Sequence, residues 1–580
     1  MIARRLAELV CGRVRVGHFM DTHRRTRRWL NRSRLAAALV GSLAMSLLAA
    51  GCNFPNFLTS GASPPAVPPA SATAFVPEQA TPTPEVVRVW LDPALPLSLQ
   101  PGVAGVQALA GRRVEPASQV DASDLRAEVR GEIEVSRWVY ALAAPFASVE
   151  EGLAMEQLQA KWSGDQPDGG PVFVRTEDLA PLQALLGPPS EAVVVVPGEQ
   201  LVDQAWTARP ALALLAFEAI EPRWRVLPVD GQSPLDPAFD PATYPLALSL
   251  GVSGQPEVAG ALAQALAQAW PASNRDPSRL TRLVMTGVTA LTRATAWRMA
   301  GKGITYPARD IGDWLRTADI THISNEVAFA DDCPSPNPGS DTLRFCSAPE
   351  NIGLLEDIGT DLVELTGNHI LDWGPAAFLN TLGMYRERGW NYFAGGQDLA
   401  EALRPVRLEH NGNRLAFIGC NAPGPGYAQA KDNAPGAAPC YDERLLQVVA
   451  DLRAEGYLPV FTYQWGEADR SSPLPLQEEA FRRAIDAGAV IVSGSQAHQP
   501  QGFEFYNGGF IHYGPGNLFF DQMDRMENRE MFVDRHVFYD GRHISTELLT
   551  GLIEDYARPR PMTAEERLDF LQRMFAASGW

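Results

Sequence analysis

Lysine is almost missing from this 580-residue chain: of 49 basic side chains, only Lys161, Lys302 and Lys431 are lysines. The shortage reads as a bias of the coding sequence, not as a function. Acidic residues number 68 and the formal net charge is −19, which excludes general affinity for nucleic acid or anionic lipid surfaces. Cysteine is scarce as well, six in all, and no CxxC pair occurs, so a zinc ribbon is excluded. The uncharged run "LAAALVGSLAMSLLAA" at 35–50 has sixteen residues and is short for a membrane span. No repeat of fixed period is visible, and no serine or cysteine stands in a nucleophile motif.

What is present describes a globular, exported protein. Hydrophobic residues make up 46% and charged residues 20%, and the length calls for two or three domains. Residues 1–34 carry ten arginines against Glu8 and Asp21, ahead of the apolar run and "LLAAGC" ending at Cys52. Small residues before that cysteine resemble a bacterial lipoprotein cleavage box, although Ala49 stands where leucine is usual. The expectation is a signal peptide over 1–51 and lipidation of Cys52, giving an envelope protein held at the membrane by acyl chains. A plain signal peptide or a short anchor helix is the alternative. Loss of residues 1–51 would take the formal charge from −19 to −27. Residues 52–85, rich in Pro, Ala, Ser and Thr, have little to bury and read as an extended tether.

From 86 to 275 short apolar strands alternate with helical stretches, which predicts a smaller α/β accessory domain. "VSRWVYALAAPFAS" and "AVVVVPG" read as buried strands, and "VEEGLAMEQLQAKWSG" and "PALALLAF" as helices. "WRVLPVDGQSPLDP" followed by "YPLALSLGV" resembles the crossing segment of type II solute-binding proteins; a generic α/β domain remains the alternative. Residues 276–560 form a second unit whose strands each run into a polar loop, with a C-terminal helix over 561–580. Such strand–loop–helix alternation predicts an α/β core with the site where strand ends converge. Four cysteines remain for this unit, Cys333, Cys346, Cys420 and Cys440. In an exported chain an even number favours disulfides, and the local pairs 333–346 and 420–440 are the simplest of three connectivities.

Five strand-end residues are candidates for one cluster: Glu326, Asn368, His369, Glu467 and His498. An Asn-His pair can simply cap a helix, and a lone histidine is more often a satisfied polar residue than a ligand. The most specific stretch is "TGNHILDWG", because Gly-Asn-His after a buried strand recurs in two-metal phosphoesterases. With it stand "SNEVAF", "WGEA" and "DAGAVIVSGSQAHQPQGFEFYNGGFIHYGPGNLFFDQ", in an order that resembles the CapA family of poly-gamma-glutamate capsule proteins. The resemblance covers most of 280–525. It implies a calcineurin-like metallophosphatase sandwich of sheets flanked by helices, with a divalent metal (Mn, Zn, Mg or Ca) held by Glu326, Asn368 and His498. In an enzyme, His369 is the candidate acid and Glu326 or Glu467 the candidate base or ligand.

Three departures bear on that metal. The first family strand ends in Gly-Asp, but here in Gly287-Val288; the His-Trp-Gly motif is Gln464-Trp465-Gly466; and the paired histidines of the last loop are Gln496 and His498. Gln464 and Gln496 would fall on one metal position, leaving it Asn368 and the bridging Glu326. The other keeps Glu326 and His498. Two strong ligands per ion fall short of the roughly three that catalytic sites use. The metal is therefore expected to be weakened or absent, and Arg293, Gln464 and Gln496 become candidates for substrate binding. Asp372, Tyr513, Asn517 and Asp521 read as braces. The first functional expectation is an envelope lipoprotein involved in the synthesis, anchoring or binding of a capsule or poly-gamma-glutamate-type polymer. The alternatives are a metal-dependent hydrolase or transferase on polyglutamate, peptidoglycan or a phosphoester, and a solute receptor.

Overall fold

The computed structural model describes residues 85–580 apart from 167, 168 and 341. The expected signal peptide, Cys52 and nearly all of the tether lie outside the described residues.

The first sheet has ten strands, and one of them organises it. Ile133–Pro145 begins exposed and ends in an unbroken buried run, as "WVYALAAP" requires of a strand covered on both faces. Its first part pairs antiparallel with Ala247–Gly254, and its second with Leu212–Ala216 and Trp224–Leu227. Two half-sheets thus share a single strand. Beyond Ala247–Gly254 lie Leu125–Val129, Val86–Leu91 and Arg112–Pro116, and beyond Leu212–Ala216 lie Val172–Arg175 and Val193–Val196. The helix Pro256–Ala269 packs its Val258, Leu262 and Leu266 face into the same core.

One expectation here is corrected. "PALALLAF" was expected to be helical, but Leu212–Ala216 is a central strand with all five residues buried. A short, continuous apolar run carries no period, and burial between two neighbouring strands decides it.

The second part is a sandwich of two sheets flanked by helices, the α/β class that the sequence implies. One sheet has the path Asn391–Phe393, Leu362–Glu364, Ile320–Asn325, Leu280–Thr286, Glu530–Tyr539, Arg542–Glu554, Arg558–Pro561. The other runs Val406–His410, Asn413–Asn421, Leu458–Gln464, Ile491–Ser495, Gly509–Pro515, Pro500–Tyr506. Side-chain alternation along Leu280–Thr286 places Leu283 and Met285 in the core shared with Phe417 and Phe461 of the facing sheet. Val284 points the other way, into the core under helices Ile352–Asp357 and Pro375–Glu387. The helices Asp442–Ala454, Pro475–Asp486 and Ala564–Ala577 contribute to the former core through residues such as Val449, Phe481 and Phe570.

The two parts share an apolar seam. Leu280, Val537, Tyr539 and Ile544 belong to the core of the first sheet, and the Tyr539 hydroxyl accepts the Asp276 amide at 2.9 Å. Both local disulfides form, Cys333–Cys346 and Cys420–Cys440. Among the described residues no helix is long and apolar enough to cross a membrane.

Candidate functional site

Parallel strands deliver the polar loops to one place. Leu280–Thr286, Ile320–Asn325 and Leu362–Glu364 run parallel in the first sheet of the sandwich, as do Leu458–Gln464 and Ile491–Ser495 in the second. Each strand therefore points its C-terminal end the same way as its neighbour. Glu326 follows the strand end at Asn325, Asn368 and His369 lie in the turn beyond Glu364, and Gln464 is itself a strand end. Gln496 and His498 leave Ser495 with φ of +78° and +54°, a left-handed backbone that non-glycine residues rarely adopt. Close approach fixes two glycines. A Cβ on Gly287 would lie 2.0 Å from the Gly516 carbonyl oxygen, and one on Gly367 would lie 2.8 Å from the Glu326 Cα.

Five of the sequence-derived residues join one hydrogen-bond network. The Gln464 Nε2 amide faces Glu326 Oε1 at 3.1 Å, Asn368 Oδ1 at 2.9 Å and, closer still, Gln496 Oε1. Gln496 donates onward from Nε2 to Glu467 Oε1 at 3.2 Å. His498 donates from Nδ1 to Asn517 Oδ1 at 2.8 Å, which leaves Nε2 directed at Glu467 Oε1, 3.8 Å away. Gln464, Gln496, Glu326 and His498 are all buried, whereas the Glu467 side chain is exposed.

His369 stands beside this network. Its Nδ1 donates to Asp372 Oδ2 at 2.6 Å, and its ring packs on Phe345 with centroids 4.3 Å apart. Burial pulls the imidazole pKa down. The Asp372 hydrogen bond and the Glu326 and Asp372 charges outweigh burial and the opposing Arg293, so the pKa is raised above 6.5. Arg293 lies with its guanidinium over Phe345 and Phe520, at 4.8 and 5.1 Å, and is paired to Asp521. Its charge is already matched, so it faces the centre as a braced group and not as a free cation.

Sequence reasoning missed the rim. The Tyr427 hydroxyl donates to Asp372 Oδ1 at 3.1 Å, and Arg344 Nε to the Asp372 carbonyl at 2.7 Å. The Phe345 amide adds a bond to Asp372 Oδ2 at 2.9 Å. Arg344 and Phe345 lie between Cys333 and Cys346, and Tyr427 between Cys420 and Cys440. Each disulfide thus closes a loop that ends on Asp372. The cysteine spacing was the one signal that could have drawn attention to these loops.

A two-metal clamp does not fit these residues. Val288 is buried in a small apolar cluster with Ala290, Val327, Phe345 and Phe520, so its position offers no ligand. Among the described residues, no group of three or more His, Cys, Asp and Glu could hold a metal ion. The three oxygens that converge do so on an amide nitrogen. An NH2 group has only two hydrogens, so three acceptors exceed what it can satisfy, and Glu326 Oε2 is buried with no partner. The donor set is amide and carboxylate oxygen, a poor match for zinc and a better one for hard cations.

Comparison with known proteins decides the family. Residues 282–522 match the model for the bacterial capsule synthesis protein PGA_cap. This stretch is a PGA_cap family segment. The capsule biosynthesis protein CapA of Bacillus anthracis is 24% identical over 299 residues, covering 51% of this chain and 72% of that one. The PGA biosynthesis protein CapA of Bacillus subtilis is 29% identical over 175 residues, 30% of this chain and 46% of that one. A probable polyglutamine synthesis accessory protein of Mycobacterium tuberculosis is 28% identical over 212 residues, 34% and 53% respectively. The PGA_cap chain thus spans most of the first relative and about half of the other two. Among solved structures, a 5'-nucleotidase precursor from Thermus thermophilus covers 52% of this chain and 58% of its own, at 15% identity and a TM-score of 0.32. An ABC-type phosphate transport receptor from Vibrio cholerae covers 29% and 85%, at 12% identity and a TM-score of 0.23.

Proposed function

We propose that this PGA_cap protein is an envelope lipoprotein, anchored through Cys52, that serves capsule or poly-gamma-glutamate-type polymer synthesis by binding and holding the polymer. Its centre is a metal site that has degenerated into a hydrogen-bonding one. The observation that carries the reading is the Gln464 amide, set among Glu326, Asn368 and Gln496 where the family relationship leads one to expect a cation. Amide donors and acceptors suit a chain of peptide groups and carboxylates, and the two disulfides suit an oxidising location. The kinship with the capsule and PGA biosynthesis proteins of Bacillus supports the polymer; the ligand losses support holding over cleavage.

A second reading has its own support. His369, with Asp372 behind it and a raised pKa, is suited to donate a proton near neutral pH, so hydrolase or transferase chemistry on polyglutamate, peptidoglycan or a phosphoester is the competing proposal. One experiment separates them. The full chain is incubated with Mn²⁺, Zn²⁺, Mg²⁺ and Ca²⁺, its metal content is measured, and poly-gamma-glutamate binding is followed by calorimetry. Polymer binding that survives chelator and weakens in Gln464→Ala supports the first reading. Stoichiometric metal that is lost in His498→Ala, together with polymer turnover that is lost in His369→Ala, overturns it.

A further inference from the structure

A second cavity, of about 700 Å³, lies where the helix Leu201–Thr207 meets the strand Pro500–Tyr506 and residues 470–475. That size falls within the range of small-molecule sites, and domain junctions are where such sites concentrate. One wall is aromatic. Trp206 and Trp580 meet edge to face with centroids 5.4 Å apart, and Trp580 lies parallel to Phe505 at 5.7 Å.

The rest of the lining is polar and largely paired. Arg482 Nε donates to both oxygens of Glu504, at 2.9 and 3.0 Å, and the Tyr513 hydroxyl donates to Glu504 Oε2 at 2.6 Å. Arg223 bridges Asp203 at 2.6 Å and Glu221 at 2.5 Å. Arg470, on the exposed rim, donates to Ser472 Oγ at 3.0 Å. An inorganic anion gains little here, because Arg223 and Arg482 are matched by carboxylates. A purely apolar ligand would strip water from those pairs without replacing its bonds. A guanidinium has five N–H donors. Arg482 commits Nε and Nη2 to Glu504, with Glu478 3.8 Å from Nη2, which leaves Nη1. Arg470 adds its donors beyond the Ser472 bond for a ligand that both donates and accepts. Many hydroxyls on one side and C–H faces for the tryptophans on the other describe a sugar.

We propose that this cavity binds a short neutral oligosaccharide, its ring faces lying against Trp206 and Trp580 and its hydroxyls bonded by Arg482, Glu504 and Arg470. This is a second site, independent of the polymer reading. It shares with the PGA_cap centre the segment from Glu467 to Ser472 and Tyr513.

The test titrates the full chain by calorimetry with cellotetraose and with the N-acetylglucosamine tetramer. Saturable binding of at least one of them is expected, with Kd between about 10 μM and 1 mM. Trp206→Ala and Arg470→Ala should each weaken it about tenfold, the size of a good contact residue. Arg470 is exposed, so its substitution leaves the fold intact, and Gln464→Ala at the other centre should leave sugar binding unchanged. The proposal is overturned if neither tetrasaccharide binds up to about 10 mM, a level that would detect even weak sugar binding. It is equally overturned if both cavity variants bind as wild type, or if a γ-linked glutamate oligomer displaces the sugar.

Discussion

Acid should unfold this protein from the inside, and His543 sets the size of the effect. His322, His512, His536 and His543 are buried in the sandwich, with Glu364 and Asp534. His322 bonds Glu364 at 3.1 Å, His512 bonds Asp534, and His536 and His543 share the Thr546 hydroxyl at 2.8 and 3.0 Å. The last two face no carboxylate directly. Burial holds the His543 imidazole down at about 4, against the Ser545 carbonyl that favours its charge, and it holds His536 well below 6.5. A depressed pKa means that the unfolded chain takes up protons below 6.5 while the folded chain does not. Stability is therefore full above about pH 6.5 and falls steadily as the pH drops toward 4. At pH 4.5 His543 alone removes about 2.5 kcal/mol relative to pH 7.5, at 1.36 kcal/mol per pKa unit. The assay is urea unfolding at those two pH values for wild type and His543→Gln, a substitution that keeps a donor for the Ser545 carbonyl. The variant should lose about 2.5 kcal/mol less than wild type on acidification, because glutamine does not titrate. An equal acid loss in the two proteins would refute the reasoning.

Two further outcomes follow from the centre. Gly287→Ala, whose Cβ would meet the Gly516 oxygen at 2.0 Å, should cost about 3 kcal/mol or more in urea unfolding, because backbone cannot move aside as a side chain can. Asp372→Asn should lower the His369 pKa, followed by the imidazole resonance in an NMR titration, since it removes both a charge and a charged acceptor; an unmoved titration would show that Glu326 alone sustains it.

Much of the second part was legible because its signals are local. Strand–loop–helix alternation gave the α/β core, and the family resemblance its sandwich form. Glu326, Asn368, His369, Glu467 and His498 could be grouped because each lies in a loop after an apolar strand. Gln464 and Gln496 came in through the family motifs they replace. What the sequence could not show is how the amides would use one another. Whether Gln464 turns its nitrogen toward three oxygens depends on loops 32 to 138 residues away. Asp372 read as a brace because its partners Tyr427 and Phe345 come from distant loops. Leu212–Ala216 failed for the opposite reason: five apolar residues say "buried" and leave the backbone undecided until neighbours are known.

The seam at Leu280, Val537, Tyr539 and Ile544 has a practical consequence for anyone dissecting the chain. These side chains lie on the strands of the sandwich but are covered by the first sheet. A cut near residue 275 would follow the boundary that the sequence suggests, yet it would uncover an apolar strip beside the freed end of Leu280–Thr286. Such a fragment would carry an adhesive apolar patch. The two parts are better handled as one expression unit, with point substitutions in place of truncations used to assign their roles.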